Sequence, residues 1–387
     1  MNPRVLFVDH AGVLGGAEWS LLDVVTALAG RASVVLLADG PFREVLDARG
    51  VSVAVEPLGA MGAVKKGTIA VSPLAALDAW RVARRVARRA ESYDVLCANS
   101  QKAFVACALA GALARRPVVW YLRDILAAPH FSAVTTGAAV WLANRFAAGV
   151  IANSAATARA FVAAGGRRDL VRVVHNGIAP DRFNAVRDAD ARAVRASLGV
   201  APGEHVAVHV GRFHPWKGQQ VLLRAVARVP GVRAWIVGAP LFGEHAFAEE
   251  LRVLAADLGI ANRVSFLGLR DDVPTLLRAA DVVVHSSAFP EPFGRVVVEG
   301  MLAGRPVIAA DAGGVPEIVT DGLTGYLTPP GDDAALARAI GTVLAHPAAA
   351  SAVAERGRAH ARATFTCEAM VRGVEAALVA ATRAVER

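Results

Sequence analysis

Several chemistries are excluded by what this chain lacks. Its three cysteines, Cys97, Cys107 and Cys367, are odd in number, have no metal-type spacing and sit among apolar neighbours. They exclude a disulfide scaffold and read as buried small hydrophobes in a reducing compartment. No window approaches the roughly 18 uninterrupted apolar residues of a membrane span. The longest candidate, residues 104–113, reads as a buried helix. The first residues, MNPRVLFVDHAG, pass directly into a strand and a glycine turn, without the succession of regions that marks a signal peptide, so a cytoplasmic location is expected. There is no G-x-x-x-x-G-K-[ST], which removes an NTPase at its most specific requirement, and no G-x-G-x-x-G after the first strand, which counts against a dinucleotide oxidoreductase. One Asp-x-Asp, Asp188 to Asp190, lies in a polar stretch rather than at a strand end and reads as a solvated loop. No metal ligand is assigned.

What is present is an α/β pattern. At 387 residues the chain exceeds the usual single core, and two domains are expected. Short apolar runs (RVLFV, SVVLL, DVLCA, PVVWYL, then HVAVHVG, VRAWIVG, DVVVHS, RPVIAA) alternate with helix-length segments from end to end. Strands that are almost continuously apolar indicate parallel sheets covered on both faces, and the alternation implies two doubly wound, Rossmann-like domains. The polar stretch 176–205, broken by Pro180 and Pro202, is the expected boundary. Charge divides there too: residues 1–175 hold 20 Lys+Arg against 12 Asp+Glu, and residues 176–387 hold 22 of each. The basic first half should attract anionic partners.

The chemistry-bearing segment is PEPFGRVVVEG, with Glu291 and Glu299 eight residues apart. Pro292 and Gly294 prevent one helix from running through both, so Glu291 belongs to a strand-end loop and Glu299 to the next helix. The helix start near Phe293, Gly294 and Arg295 offers backbone N–H groups to phosphate or sugar oxygens. Upstream, VGRFHPWKG places Arg212 and Lys217 beyond a strand, where both can converge on a diphosphate and stabilise a leaving nucleotide. His214 and Trp216 between them receive no role.

These segments, with GGVPEIVTDGLTGYLTPPGDDAALARAI at 313–340, resemble retaining glycosyltransferases of family 4, which have the GT-B fold. The resemblance implies two Rossmann-like domains facing across a cleft: an acceptor domain over 1–180, a donor domain over 181–365, and a C-terminal helix, 366–387, packing back toward the first. It implies a metal-independent enzyme without a cofactor that transfers a sugar from a UDP-, GDP- or ADP-sugar to a glycan, lipid-linked or small-molecule acceptor. Glu291 would take hydroxyls of the donor sugar, Glu299 the ribose, and the backbone near Leu269 and Arg270 the nucleobase. Gly15 and Gly16, in VDHAGVLGGAEWS after the first strand, match the family's glycine pair near the donor phosphate and acceptor, with Glu18 in the first helical turn as a dipole-stabilising residue. In VVWYLRDI, Arg123 stands where many family members have a histidine; it cannot act as a general base and is instead expected to bind the donor phosphate or an anionic acceptor. Catalytic roles thus fall to Glu291, Arg212, Lys217 and Arg123, with proton transfer left to the substrate.

Softer signals complete the reading. Asn99, Asn153 and the HNG at 175–177 line the strand ends or cap helices, and Ser154 reads as a cap. In AWRVARRVARRA, Arg81, Arg84, Arg85, Arg88 and Arg89 share one helical face opposite Trp80, Val82, Ala83, Val86 and Ala87. This face is expected to meet an anionic membrane surface peripherally, with Lys65 and Lys66 adding to it or guiding an anionic acceptor. The neutral second half and the lack of interleaved exposed aromatics speak against nucleic acid. A nucleotide-sugar epimerase of similar fold and a catalytically silent sugar-nucleotide binder are the alternatives.

Overall fold

The computed structural model describes residues 2–59, 73–128, 130–241 and 244–385. It divides into two compact units, 1–177 together with 367–387, and 178–366.

The first unit is built on a seven-stranded parallel sheet. Its strands are β1 (Val5–Asp9), β2 (Ala32–Leu36), β3 (Ser52–Val55), β4 (Val95–Ala98), β5 (Val118–Leu122), β6 (Ala147–Ala152) and β7 (Val171–Val173), in the order β3-β2-β1-β4-β5-β6-β7. Because successive side chains of a strand point to opposite faces, each central strand feeds two cores. Leu6, Val8, Leu96, Ala98, Val118 and Trp120 enter one, and Val5, Phe7, Val95, Cys97, Val119 and Tyr121 the other. This is why the sequence shows continuous apolar runs instead of alternation. On the first face Phe104 stacks on Trp120 with centroids 4.5 Å apart. On the other, helix Cys367–Val385 inserts Met370, Val374, Leu378 and Ala381. These recur at helical spacing, and at about 1.5–3 kcal/mol for each large side chain buried they hold the chain's last helix on the unit that begins the chain.

The second unit carries a six-stranded parallel sheet of β8 (His205–Val210), β9 (Val232–Val237), β10 (Val264–Gly268), β11 (Val282–His285), β12 (Val307–Ala310) and β13 (Tyr326–Thr328), ordered β10-β9-β8-β11-β12-β13. The same alternation splits Val206 and Val208 from Ala207, and Trp235 and Val237 from Ala234 and Ile236. In each sheet the order reverses beside the first strand, between β1 and β4 and between β8 and β11. That switch point is where parallel sheets leave a crevice beyond their carboxyl ends.

Two expectations need correction. Asp188 and Asp190 do not lie in a loop; they open helix Asp188–Ser197. The Ala- and Arg-rich segment favours helix, and aspartates in its first turn meet the positive end of the dipole. Asp188 pairs with Arg278 at 2.9 Å and Asp190 with Arg187 at 2.7 Å. In the basic helix, Pro73–Ala90, Val82, Ala83, Val86 and Ala87 are buried as expected, but Trp80 is 43% exposed and does not join them. Arg85 and Arg89 both turn to Glu56, at 2.6 and 2.9 Å, so the outward basic stripe narrows to Arg81, Arg84 and Arg88, with Arg81 near Asp78.

Candidate functional site

In the second unit the polar side chains gather at the β8/β11 switch point. The segment after β8 turns through Arg212 and a short 3-10 turn, Pro215–Lys217, into helix Gln219–Ala227. The segment after β11 runs through Ser286, Ser287 and Glu291 to helix Arg295–Leu302. They are fastened together: Ala288 N–H donates to Trp216 O at 2.9 Å and Ser286 Oγ–H to Gly218 O at 2.8 Å. Gly218 has φ 76°, and a Cβ there would lie 1.7 Å from Ser286 O, so only glycine lets the two loops close. Gly313, φ 67°, plays the same part on the far side of Glu291, where a Cβ would meet Glu291 O at 2.0 Å.

Lys217 and Glu291 thereby meet, with Nζ 2.5 Å from Oε1. The same oxygen accepts from Ser287 Oγ–H at 2.9 Å and lies 3.3 Å from His285 Nε2. Oε2 makes no hydrogen bond among the described residues. Glu291 is 5% exposed. Burial pushes its carboxyl up, but the Lys217 ammonium and the His285 contact outweigh burial and hold it well below the usual carboxylate range. It is an anion with one oxygen tied down. Behind it, His209 Nε2 lies 3.0 Å from Lys217 O. A carbonyl only accepts, so Nε2 carries the proton, and burial lowers this imidazole to about 4, leaving it neutral. His209 therefore anchors the Lys217 backbone.

Arg212 is held by Glu244 at 3.2 Å, and its carbonyl accepts from Gln219 Nε2–H at 2.9 Å. Trp216, given no role from sequence, has its ring 4.2 Å from Lys217 Nζ, a cation–π contact that limits where the ammonium points. His214 accepts from Trp216 N–H at 3.3 Å and caps the turn. Gly294 is the left-handed N-cap of helix Arg295–Leu302, φ 102°; Phe293 beside it is buried against Phe365. Glu299, a turn into that helix, lies 3.7 Å from Arg295. Leu269 follows β10 and is 68% exposed, while Arg270 makes a bidentate pair with Asp272.

A second polar network closes the β1/β4 switch point of the first unit. Arg123, just past β5, is 8% exposed. Its Nε–H donates to Asn99 Oδ1 at 3.0 Å and its Nη1–H to Asn176 Oδ1 at 2.7 Å. Asn99 Nδ2–H in turn donates to Asp9 Oδ2 at 2.5 Å, and Asp9 Oδ1 accepts from His10 N–H at 2.6 Å. Gly15 and Gly16 precede and open helix Gly16–Ala27. Gly15 is extended, φ −117°, so its glycine is not required by conformation. Its N–H donates to Glu18 Oε2 at 2.9 Å. Burial, then the Asp9 charge, raise the Glu18 carboxyl to about 7, so it is more than a surface residue facing a dipole. Ser154 caps its helix by accepting from Thr157 N–H at 3.0 Å. Lys65 and Lys66 lie outside the described residues. Among the described residues no group of three or more His, Cys, Asp or Glu side chains is arranged to hold a metal, and no single helix is long and apolar enough to cross a membrane.

Sequence reasoning missed His285, Ser287, His209, Glu244 and Asp9. For His285 and Ser287 there was a signal, the break from apolar residues in DVVVHSS at a strand end.

Two doubly wound units of this kind define the GT-B class of fold, and comparison with known proteins agrees. Residues 190–360 match the model of glycosyl transferases group 1, and residues 14–182 that of glycosyltransferase family 4. The chain is 40% identical to Anabaena HepE, solved in complex with UDP and glucose, over 97% of this chain and 99% of that one, with a TM-score of 0.90. It belongs to glycosyltransferase family 4. It is also 40% identical over 198 residues to a D-inositol 3-phosphate glycosyltransferase of Mycobacterium avium (strain 104), covering 51% of this chain and 46% of the relative. The chain thus spans less than half the length of the curated relatives it matches. Sucrose-phosphate synthase from Thermosynechococcus elongatus shares the fold at 23% identity and a TM-score of 0.74.

Proposed function

We propose that this chain is a retaining glycosyltransferase that moves a sugar from a nucleotide diphosphate donor, UDP-glucose or a close analogue, to a hydroxyl of a glycan, lipid-linked or small-molecule acceptor. The observation that carries the reading is the Glu291 carboxylate at the β8/β11 switch point. One oxygen is fixed by Lys217, Ser287 and His285, and the other has no partner among the described residues. A hydroxyl-rich ligand suits the open oxygen, because an anion only accepts. Lys217, with Arg212 close to the same tryptophan, supplies positive charge for a diphosphate. The complexes of Anabaena HepE with UDP and with UDP-glucose support the choice of donor.

In this reading the second unit binds the donor, through Arg212, Lys217, Glu291, Glu299, the backbone at Leu269, and the helix start at Phe293, Gly294 and Arg295. The first unit binds the acceptor through Arg123, with Gly15 and Gly16 as a phosphate-approach turn. Glu18 must then yield the Gly15 N–H, which a carboxyl near its own titration range does most readily when protonated. Phosphate departure is assisted by the Lys217 and Arg212 charges, and no side chain is assigned the acceptor proton. We place the enzyme in the cytoplasm, metal-independent, and in contact with anionic membrane through Arg81, Arg84 and Arg88, beside which Leu74, Leu77 and Trp80 are exposed. Sedimentation with anionic vesicles should fall when the three arginines become glutamines; unchanged sedimentation removes the membrane from the reading.

The test is incubation with a panel of nucleotide sugars and acceptors. Transfer requires that nucleotide be released only when an acceptor is present. Epimerised free sugar would instead indicate an epimerase, and binding without release a silent binder.

A further inference from the structure

The network around Arg123 has more structure than a positioning role demands. A guanidinium only donates and a carboxylate only accepts, so Asn99, set between Arg123 and Asp9, has its amide orientation fixed by chemistry: Oδ1 to Arg123 Nε–H, Nδ2–H to Asp9 Oδ2. Asn176 Oδ1 takes Nη1–H, and the guanidinium carbon lies 3.4 Å from the centre of the Tyr121 ring. Two nitrogens and one face are thus spoken for. The third nitrogen, Nη2, is buried and has no hydrogen-bond partner among the described residues.

The charge is equally incomplete. Both direct partners are neutral amide oxygens, and the nearest carboxylate in the network, Asp9, is a full side chain away. Among the described residues no carboxylate ion-pairs with Arg123. A permanently charged group, 8% exposed, without a counter-charge in contact is costly unless something else supplies one. The residue sits at the carboxyl end of β5 in a network that bridges the ends of β1 and β4, the place where sheets of this order receive ligands.

We propose that Arg123 is the anion-binding residue of the first unit, and that the acceptor this chain takes carries a carboxylate or phosphate group that docks on Nη2. The inference rests on the glycosyltransferase reading for the word acceptor, but not for the anion site itself. The shared chemistry is a planar or tetrahedral oxyanion. A uronic acid and a sugar phosphate are its two sources.

Calorimetric titration of the full chain with glucuronate, glucose 6-phosphate and glucose, at constant ionic strength, tests it. At least one of the two anions should bind wild type at least about tenfold more tightly than glucose, and the tighter of them identifies the source. Arg123→Gln should abolish that preference, and Arg123→Lys should restore part of it. Glucose binding as tightly as the anions, anion binding indifferent to Arg123→Gln, or no binding of either anion would each overturn the proposal. The broader reading fails separately: if wild type binds no nucleotide sugar while the Arg123-dependent anion preference persists, the site is real and the transferase assignment is wrong.

Discussion

Replacing Lys217 by methionine removes the ammonium from Glu291 while keeping a side chain of similar length. Glu291 would then keep Ser287 Oγ–H and His285 as partners of Oε1, with its side chain 7% exposed. Breaking a buried pair from one side typically costs about 3–5 kcal/mol, because the remaining charge is uncompensated. The pH dependence gives the sharper signature. In wild type the folded carboxyl lies below its unfolded value of about 4.3, so its contribution is present above that value and is lost as pH falls through the lower folded value. Without Lys217, burial dominates and the carboxyl takes up a proton more readily. The deficit of Lys217→Met should therefore be largest near pH 7, begin to narrow above about 4.3, where the buried carboxyl of the variant takes up its proton, and narrow further below it, where wild type loses its own contribution. Adding Glu291→Gln should recover most of the loss at pH 7, since replacing both partners of a buried pair is often close to neutral. Urea unfolding of the four proteins of this cycle, followed by tryptophan fluorescence at pH 7 and pH 4, measures it. A deficit that is independent of pH, or single effects that simply add, would mean that Lys217 does not hold the Glu291 charge.

The same Lys217→Met variant should bind the nucleotide-sugar donor about ten- to a hundredfold more weakly, the worth of about 1.5–3 kcal/mol for one charge-assisted hydrogen bond; unchanged donor affinity in a calorimetric titration would remove Lys217 from the site. Leu378→Ala, on the last helix and fully buried in the first unit, should cost about 2–5 kcal/mol in denaturant unfolding. A loss well under 1 kcal/mol would mean the helix does not hold the unit together. Glu18 provides a pH test of opposite sign. Its folded value, about 7, lies above the unfolded value, so the folded chain retains a proton there and its contribution declines as pH rises through that window. Wild type should lose stability relative to Glu18→Gln between pH 5 and pH 8, and a constant difference would contradict the burial of that carboxyl.

The parallel sheets were legible because their strands are buried on both faces, which writes Val5 to Val8 and Val118 to Leu122 as unbroken apolar runs. The placement of Glu291 and Glu299 on loop and helix was legible because Pro292 and Gly294 act locally. What escaped is the pairing across sequence. Lys217 and Glu291 lie 74 residues apart, and their contact depends on two loops closing over Gly218 and Gly313, which no local pattern reports. Both were read as facing ligand alone; in the structure each also faces the other. The same holds for Arg123, whose environment is assembled from Asn99 and Asn176, residues read only as caps or lining. Asp188 was misplaced for a local reason, the weight given to a polar, proline-flanked composition over the helix propensity of alanine and arginine.

The proposed reaction is transfer with retention from a donor held at Glu291 and Lys217. Its most direct test is the anomeric configuration of the product formed from an α-linked nucleotide sugar, read by proton NMR during the first turnovers. An α-linked product that forms only with an acceptor present and is lost with Lys217→Met is expected; a β-linked product, or free sugar as the main outcome, rules out retaining transfer at this site.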